Sequence, residues 1–322
     1  MKIVYMGTPD FAVPPLVALV KSGYEVAAVV TQPDKPKGRG KTLLPTPVKE
    51  EALKHGIEVY QPQKVREQEF IDILKGLEPD IIIVAAFGQL IPGEILDMPR
   101  FGCINIHASL LPKYRGAAPI QQAVINGDKE AGVTIMQMGT GLDTGDMISK
   151  AEILLDPEET GGTLFDKLAD LGAELLIKTL PSIFDKTAVY EPQPKESPTP
   201  YAGMITKQMG LLDFTKSAQE LERLVRGLNP WPSAYTYLNG KTLKVWKSSV
   251  INILKGENSP EKPFAKPGTV LAADKAGIHV ACGKNILLLT EVQLEGKKRM
   301  DAASFLRGYQ VEPGTMLMDH KE

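Results

Sequence analysis

Short runs of apolar residues alternate with helical patterns along the first half of the chain, and this alternation limits the possible folds more than any other feature. The runs are rich in Val and Ile and predict buried strands at Lys2–Met6, Val26–Val30, Asp80–Ala86, Cys103–Ile106 and Val133–Met138. Helical patterns cover Phe11–Lys21, Val48–His55, Ala117–Ile125 and Thr163–Leu180. Strands and helices that alternate in this way predict an α/β fold: a Rossmann-like, mostly parallel sheet with helices on both faces.

A proline-dense segment follows. Between Val189 and Gly203 the chain contains four prolines, which disfavour both helix and central strand: Pro192, Pro194, Pro198 and Pro200. With 322 residues the chain is long enough for two domains. We therefore expect a first domain at residues 1–189, a stiff proline-rich linker at residues 190–206 and a second domain at residues 207–322.

The sequence after the linker indicates a small β domain. Ser217 and Glu220 have the spacing of a capping box at the start of one amphipathic helix. Asn239-Gly240 is a strong hairpin signal, and further short strands follow at Gly268–Ala272, Ile278–Cys282 and Ile286–Val292. Asp301–Arg307 reads as a last short helix. This pattern predicts an OB-like β-barrel, with Trp246 in its core because that residue lies among apolar strand positions.

Composition excludes several classes of protein. Hydrophobic residues make up 43% and charged residues 24% of the chain, which is typical of a globular protein with a sizeable core. Two cysteines cannot form a disulfide framework, and four scattered histidines without H-E-x-x-H indicate no metal site. The longest apolar run, Ile81–Phe87, is too short to span a membrane, and the opening residues turn polar too early for a signal peptide. We expect a cytoplasmic, metal-free protein.

Charge is unevenly distributed along the chain. Residues 207–322 carry 17 basic and 12 acidic groups, a net charge of +5, which leaves −7 for residues 1–206. A positive field of this size would suit a polyanionic partner, although a solvated surface can carry the same charge.

The segment Phe101–Ala118 holds the clearest chemical signal. Its strand presents Asn105 and His107 on one face, because side chains two residues apart point the same way. The polar groups lie at the strand's carboxyl end, where open α/β sheets bind ligands. On these residues alone, a histidine that only hydrogen-bonds the backbone remains an alternative. Cys103 nearby could be a nucleophile, but its strand position favours burial as a small apolar residue.

Two loops complete the candidate site. Gly139–Asp146 is glycine-rich but lacks the pattern of a dinucleotide site, and either Asp143 or Asp146 could face His107 unless the loop is a plain turn. The second loop carries four cations within seven residues, which can be a solvated surface or an anion contact: Lys35, Lys37, Arg39 and Lys41.

The combination of N-x-H at Asn105, S-L-L-P at Ser109 and L-D-x-G at Leu142 resembles the 10-formyltetrahydrofolate-dependent formyltransferases. Three further segments are similar to the branch of that family that formylates methionyl-tRNA, and the resemblance covers nearly the whole chain: Gly7–Ala12, Thr31–Lys41 and Asn229–Pro232.

This resemblance implies roles for individual residues. Asn105, His107 and Asp143 match the family's catalytic trio. The folate co-substrate, 10-formyltetrahydrofolate, would be held without a metal by two segments: Phe87, Gly88, Gln89, Leu90, Ile91, and Ser109, Leu110, Leu111, Pro112. In the first segment, Phe87 and Ile91 would supply apolar lining while the backbone bonds the pterin.

The resemblance also implies initiator methionyl-tRNA as the partner of a monomeric enzyme. Arg39 would be the principal tRNA contact, supported by Lys37 and Lys41. With the net charge of +5, the basic residues of the second domain predict an electrostatic platform for the tRNA body: Arg223, Arg226, Lys241, Lys244, Lys247, Lys297, Lys298 and Arg299.

Alternative functions differ in the acceptor or in the chemistry. A sugar-nucleotide N-formyltransferase would use the same folate donor, and a hydrolase would release formate by adding water to the same carbon. A non-catalytic RNA-binding protein would use only the small barrel. The intact set of Asn105, His107 and Asp143 favours an enzyme, and the basic loop favours tRNA as the acceptor.

Overall fold

The computed structural model describes residues 1–37, 42–253, 265–318 and 320. These residues form two compact units. Unit 1 comprises Met1–Pro119, Glu130–Leu154 and Phe165–Gly203, and unit 2 comprises Ile120–Lys129, Leu155–Leu164 and Met204–Glu322. Unit 1 thus extends through most of the proline-dense segment. The domain boundaries expected from the sequence, at 189/190 and 206/207, stay a prediction.

Through Phe184 the chain alternates strands and helices. In chain order the elements are β1 (Lys2–Gly7), a 3-10 turn (Asp10–Ala12), α1 (Val13–Lys21), β2 (Glu25–Val30), β3 (Lys35–Lys37), β4 (Thr42–Leu44), α2 (Pro47–Lys54), β5 (Val59–Tyr60), α3 (Gln68–Leu77), β6 (Ile81–Ala85), α4 (Gly93–Leu96), β7 (Cys103–His107), α5 (Pro119–Asn126), β8 (Glu130–Gln137), β9 (Met147–Leu154) and α6 (Gly161–Phe184).

Seven of these strands form one sheet in the order β5-β2-β1-β6-β7-β8-β9. The five strands from β5 to β7 are parallel, whereas β8 and β9 run antiparallel. The Val- and Ile-rich composition of the central strands follows from their burial, since every residue of β6 is buried. The mostly parallel α/β sheet predicted from the sequence is confirmed. β1, β2, β6 and β7 end at one edge of this sheet, and that edge carries the candidate site.

The sequence patterns missed several elements of unit 1, including β9 and α3. β9 lies at the end of the sheet and is half-buried or exposed at every residue but the first, so it lacks the continuous apolar run of a central strand. Helix α3 buries Phe70, Ile71 and Leu74 on one face, a helical spacing that was present in the sequence.

The remaining elements belong to unit 2. They are a 3-10 turn (Lys207–Gly210), α7 (Ala218–Gly227), β10 (Ala234–Leu238), β11 (Lys241–Ile251), β12 (Val270–Asp274), β13 (Gly277–Ala281), β14 (Ile286–Leu294), β15 (Met300–Asp301) and α8 (Ala302–Gly308). The strands pair in the order β10-β11-β14-β13-β12, with β15 on β14.

Met316 and Met318 join the two ends of this second sheet. Met318 pairs with Tyr237 on β10, and Met316 pairs with Thr269 immediately before β12. The antiparallel strands therefore close on themselves through one short segment. The predicted hairpin is present, with Asn239 and Gly240 both at positive φ as a type I′ turn requires. The small β domain is confirmed, and its OB-like topology stays a prediction.

Local signals in unit 2 had mixed outcomes. The capping box is confirmed, since Ser217 accepts a hydrogen bond from the Glu220 backbone while the Glu220 carboxylate accepts one from the Ser217 backbone. The placement of Trp246 in the core was wrong. Val245 takes the core position, and Trp246, its neighbour on the strand, points to the opposite face and is only half-buried. Its ring lies 4.5 Å from the Arg299 guanidinium carbon.

Cys103 is buried in the core beneath α4, with its Sγ 3.5 Å from the Ile95 carbonyl oxygen. Burial raises the pKa of the Cys103 thiol from its usual value near 9 to about 12. The burial of Cys103 confirms the expectation from the sequence, and a thiol that keeps its proton near neutral pH argues against a nucleophile.

No helix among the residues that the structure describes is long and apolar enough to cross a bilayer.

This burial predicts a pH dependence of stability. Between pH 9 and pH 12 an unfolded Cys103 ionises while the folded thiol keeps its proton, so the stability present below pH 9 is lost as pH rises. At pH 10.5 the ionisation of Cys103 in the unfolded state should lower the unfolding free energy by about 1–2 kcal/mol. Urea denaturation at pH 8 and pH 10.5 measures it. Cys103→Ala should lose less stability across this interval than the unsubstituted protein, and an equal loss would contradict the prediction.

Candidate active site

Asn105 and His107 lie at the carboxyl end of β7, on one face of the strand. His107 is 5% exposed. Its Nε2 lies 3.1 Å from the Tyr114 carbonyl oxygen, and its Nδ1 lies 3.7 Å from Asp143 Oδ2, so both ring nitrogens face an oxygen. The Asn105 side chain is half-buried and makes no hydrogen bond with another residue that the structure describes. Its amide N–H is therefore available to a ligand.

Asp143 reaches His107 from the glycine-rich loop between β8 and β9. The residue has φ 51°, in the left-handed region, and its Oδ2 accepts a hydrogen bond of 2.8 Å from the Gly116 N–H. Asp146 has a structural role instead, because its backbone carbonyl accepts a hydrogen bond from Gln137 N. Of the two candidates left open by the sequence, the structure brings Asp143 to His107.

Ser109–Pro112 forms the turn after β7. Buried Thr134 on β8 fixes this turn, because its hydroxyl donates to Ser109 O at 2.7 Å and accepts from Leu111 N at 3.1 Å. The Leu111 side chain is itself buried against Met136 and Met147, so this leucine offers a ligand its backbone rather than its side chain. Sequence reasoning missed Thr134, whose signal was a hydroxyl within an apolar strand run.

The other expected folate segment follows β6, the parallel neighbour of β7. The Phe87 carbonyl accepts hydrogen bonds from Thr8 Oγ1 at 2.9 Å and Gln32 Nε2 at 3.3 Å. Phe87 and Ile91 pack in the core, whereas Leu90 is 83% exposed. Gly88 lies at positive φ and is exposed, and Gln89 is held by Val65 N through its side-chain oxygen.

A cavity of about 400 Å³ opens beside this segment, at the carboxyl ends of β1 and β2. Its lining is mixed in polarity and includes Thr8 and Gln32, the two residues that hold the Phe87 carbonyl. The full lining is Thr8, Asp10, Gln32, Pro33, Lys35, Pro36, Leu44, Pro45, Thr46, Pro47 and Glu50. A search of the described ranges found no group of three or more His, Cys, Asp or Glu side chains that could hold a metal ion.

Arg115 is 2% exposed and was not predicted as a site residue. Its guanidinium donates three hydrogen bonds, all to the proline-dense segment: Nε to Gln193 Oε1 at 3.0 Å, Nη2 to Pro194 O at 2.8 Å and Nη1 to Lys195 O at 3.2 Å. A buried guanidinium needs every donor paired, so it anchors this segment.

Gln193 carries the connection on to the aspartate loop. Its Nε2 donates to Asp143 O at 3.0 Å and to Gly145 O at 2.7 Å.

Residues 193–202, named here the strap, bind unit 1 along their length. Ser197 Oγ donates to Pro112 O at 2.8 Å, and Thr199 Oγ1 accepts from Tyr114 N at 2.7 Å. Ala202 N donates to the Arg115 carbonyl at 2.8 Å. The proline-rich sequence predicted only a stiff linker. Prolines disfavour helix and strand, but they do not show which distant residues the side chains of the segment contact.

The predicted tRNA contacts fall into three groups. Arg39 and Lys41 lie outside the described residues, and Lys37 ends β3, which pairs with β4. Exposed Lys241, Lys297 and Lys298 make no ion pair with a residue that the structure describes, and Lys244 Nζ lies 5.6 Å from the centre of the Trp246 ring.

The remaining cations are engaged within unit 2. Arg226 pairs with Glu222 and donates to Glu159 O at 2.8 Å, and Arg223 donates to Asn126 O at 3.3 Å. Two further ion pairs lie on the surface: Lys247 with Glu158 at 3.1 Å, and Arg299 with Glu291 at 2.5 Å.

Family models match both parts of the chain. The Formyl transferase family model matches residues 1–180, and the Formyl transferase, C-terminal domain model matches residues 204–310. Among solved structures, the sugar 3N-formyl transferase WlaRD with dTDP and 5-N-formyl-THF is similar, with a TM-score of 0.64 and 20% identity over 92% of this chain and 99% of that one. HypX from Aquifex aeolicus in complex with tetrahydrofolic acid has a TM-score of 0.63 at 17% identity, over 97% of this chain and 49% of HypX. At these identities the likeness concerns the fold alone.

Curated relatives are far closer in sequence. The methionyl-tRNA formyltransferase of Agathobacter rectalis is 59% identical over 98% of this chain and 99% of its own length. That of Bacillus subtilis is 52% identical over 98% of this chain and 97% of its own length. With both parts of the fold matched and full-length identity this high, the chain belongs to the methionyl-tRNA formyltransferase family.

Proposed function

We propose that this chain transfers the formyl group of 10-formyltetrahydrofolate to the α-amino group of methionyl-initiator tRNA, giving N-formylmethionyl-tRNA for translation initiation. The observation that carries the proposal is the convergence of Asn105, His107 and Asp143 at the sheet edge between the two expected folate segments. The full-length identity to methionyl-tRNA formyltransferases supports tRNA as the acceptor.

The reaction requires one nitrogen to replace another at the formyl carbon. The neutral methionyl amine attacks that carbon, and a tetrahedral intermediate forms with negative charge on its oxygen. Asn105 can donate its amide N–H to this oxyanion, and His107 would donate a ring N–H in place of the contact that Nε2 now makes with the Tyr114 carbonyl. Loss of one such donor typically slows a reaction about 10²–10³-fold. The carbon–N10 bond then breaks as the folate nitrogen leaves.

Asp143 is assigned to the proton transfer that accompanies this reaction. The attacking nitrogen becomes positively charged and must lose a proton, while the departing folate nitrogen must gain one. Asp143 faces His107 and is held by Gly116 N, so its carboxylate can orient the imidazole and relay that proton. Transfers of this kind contribute about 10²–10⁴ in rate.

The folate co-substrate would lie along the carboxyl edge between β6 and β7. We assign it the backbone of residues 87–91 and of residues 109–112, with exposed Leu90 as an apolar contact. The similar structures of WlaRD and HypX contain folate compounds, which supports a folate site in this fold.

For the tRNA we propose two positive surfaces. Arg39, flanked by Lys37 and Lys41, would contact the acceptor end. On unit 2, Lys241, Lys244, Lys247, Lys297, Lys298 and Arg299 would contact phosphates, while Arg223 and Arg226 support that surface through their bonds to Asn126, Glu159 and Glu222. We further propose that the enzyme acts as a cytoplasmic monomer, which gel filtration with light scattering would test.

The acceptor is tested by direct competition. We expect purified protein supplied with 10-formyltetrahydrofolate to formylate methionyl-initiator tRNA and to leave an amino-sugar nucleotide unmodified. Labelled formyl groups, followed by chromatography, distinguish the products. Transfer to the sugar, or release of formate without acceptor, would contradict the proposed function while keeping the folate chemistry.

The catalytic trio is tested by two substitutions. His107→Ala and Asp143→Asn should each lower kcat by about 10²-fold or more, because each removes a group that acts on the reacting atoms. Folate binding, measured by fluorescence titration, should persist in both. Cys103→Ala on the same strand is the matched control, and its turnover should stay near normal. A near-normal turnover of His107→Ala or Asp143→Asn would remove that residue from the trio.

The basic loop is tested at Arg39. Arg39→Ala should raise KM for the tRNA, because a phosphate or base contact is lost, and leave folate binding unchanged. Arg100→Ala is the matched control, since exposed Arg100 lies before β7 at the opposite edge of the sheet. Unchanged tRNA kinetics in Arg39→Ala would exclude the proposed contact.

A further inference from the structure

We propose that the strap is part of the catalytic centre rather than a tether, and that Gln193 is a positioning residue that holds Asp143 against His107. The proposal rests on the proposed catalytic role of Asp143. It concerns a segment, residues 193–202, whose sequence contains no catalytic motif.

The strap hydrogen-bonds to both residues whose oxygens face the His107 ring. Asp143 Oδ2 faces Nδ1, and the backbone carbonyl of Asp143 accepts from Gln193 Nε2. The Tyr114 carbonyl faces Nε2, and Tyr114 N donates to Thr199 Oγ1. The position of the imidazole is therefore set by two residues that are each bonded to the strap.

Asp143 needs such support because its backbone conformation is unfavourable. A non-glycine residue at φ 51° lies in a sparsely populated region and persists only when its surroundings fix it. Gln193 fixes two carbonyls of this turn, those of Asp143 and Gly145. Gly116 N fixes the carboxylate of the same aspartate. Backbone and side chain are thus held from two sides.

Arg115 sets the orientation of the Gln193 amide. A guanidinium only donates hydrogen bonds, so the amide oxygen must face Arg115 Nε and the amide nitrogen must face the two carbonyls. Arg115 makes no ion pair with a carboxylate in the part of the chain that the structure describes, and its three bonds go to neutral oxygens of the strap. Displacing the strap would leave a buried charge unpaired, which is strongly unfavourable.

The far end of the strap closes the network. Gly116 has φ +120°, and a Cβ placed on it would lie 2.6 Å from the Ala202 carbonyl oxygen. Glycine at this position lets the strap approach the same residue whose N–H binds Asp143. The strap, residues 114–116 and the Asp143 loop therefore form one connected set of hydrogen bonds around His107.

Gln193→Ala and Gln193→Glu test the positioning role. Glutamate keeps the acceptor for Arg115, so the strap stays anchored, but it cannot donate to the Asp143 and Gly145 carbonyls. We expect both variants to lower kcat by about 10²-fold, the size of effect typical of a small displacement of a catalytic group. For Gln193→Glu, KM for folate and for methionyl-tRNA and the melting temperature should stay near the unsubstituted values. Gln193→Ala also removes the acceptor of buried Arg115 Nε and should lower the melting temperature. Gln68→Ala, at the exposed start of α3, is the matched control and should behave normally.

A double-mutant cycle provides the readout that a structural role would not change. If Gln193 acts through Asp143, Gln193→Ala should have little further effect on the residual rate of Asp143→Asn. The proposal would be overturned if Gln193→Ala lowered kcat by the same factor in the unsubstituted protein and in Asp143→Asn. A Gln193→Glu variant with normal kcat would also overturn it. So would a loss of kcat in Gln193→Glu that is explained by a lower melting temperature and raised KM values.

The same variants separate this inference from the proposed function. If Asp143→Asn is slow and the Gln193 variants are normal, only the role of the strap is refuted. If Asp143→Asn itself turns over normally, the catalytic assignment fails and the positioning role fails with it.

Discussion

The arrangement of the candidate site depends on the hydrogen bonds of the buried Arg115 guanidinium. Removing a charge from water is costly unless its donors are paired, and all three of its bonds go to residues 193–195. The strap in turn hydrogen-bonds to Asp143 through Gln193 and to Tyr114 through Thr199. The hydrogen bonds of Arg115 therefore help to fix the two residues that contact His107. A cation thus organises the site without facing the reacting atoms.

The sheet supplies the other half of this organisation. β6 and β7 are parallel neighbours, so the two expected folate segments begin side by side. Thr134, across the sheet on β8, fixes the turn that follows His107. Rigid strands hold Asn105 and His107, while a loop with an unfavourable backbone holds Asp143. The site therefore combines two residues that a strand positions with one loop residue that needs further contacts to hold its conformation.

Sequence reasoning succeeded where a residue's environment is set locally. Buried central strands such as Ile81–Ala85 have continuous apolar runs, and Asn239-Gly240 needs only its own turn geometry. It failed where the partner is distant along the chain. The side chain of Gln193 meets Asp143 fifty residues away, and nothing in either neighbourhood reveals it. Trp246 failed for a different reason: apolar neighbours did not show which face of the strand is the core. The motif resemblance predicts Asn105, His107 and Asp143 as the catalytic trio, but it does not predict the residues that hold them.

The continuity of the strap with unit 1 bears on how such a chain can be divided or recombined. The proline-dense segment looks like a natural seam, yet a cut after residue 189 would remove every acceptor that Arg115 uses and the amide that braces Asp143. Exchange of the second domain between relatives, in the laboratory or in evolution, would have to leave residues 193–202 with the sheet. The functional module ends where the strap ends, and not where the proline-rich sequence begins.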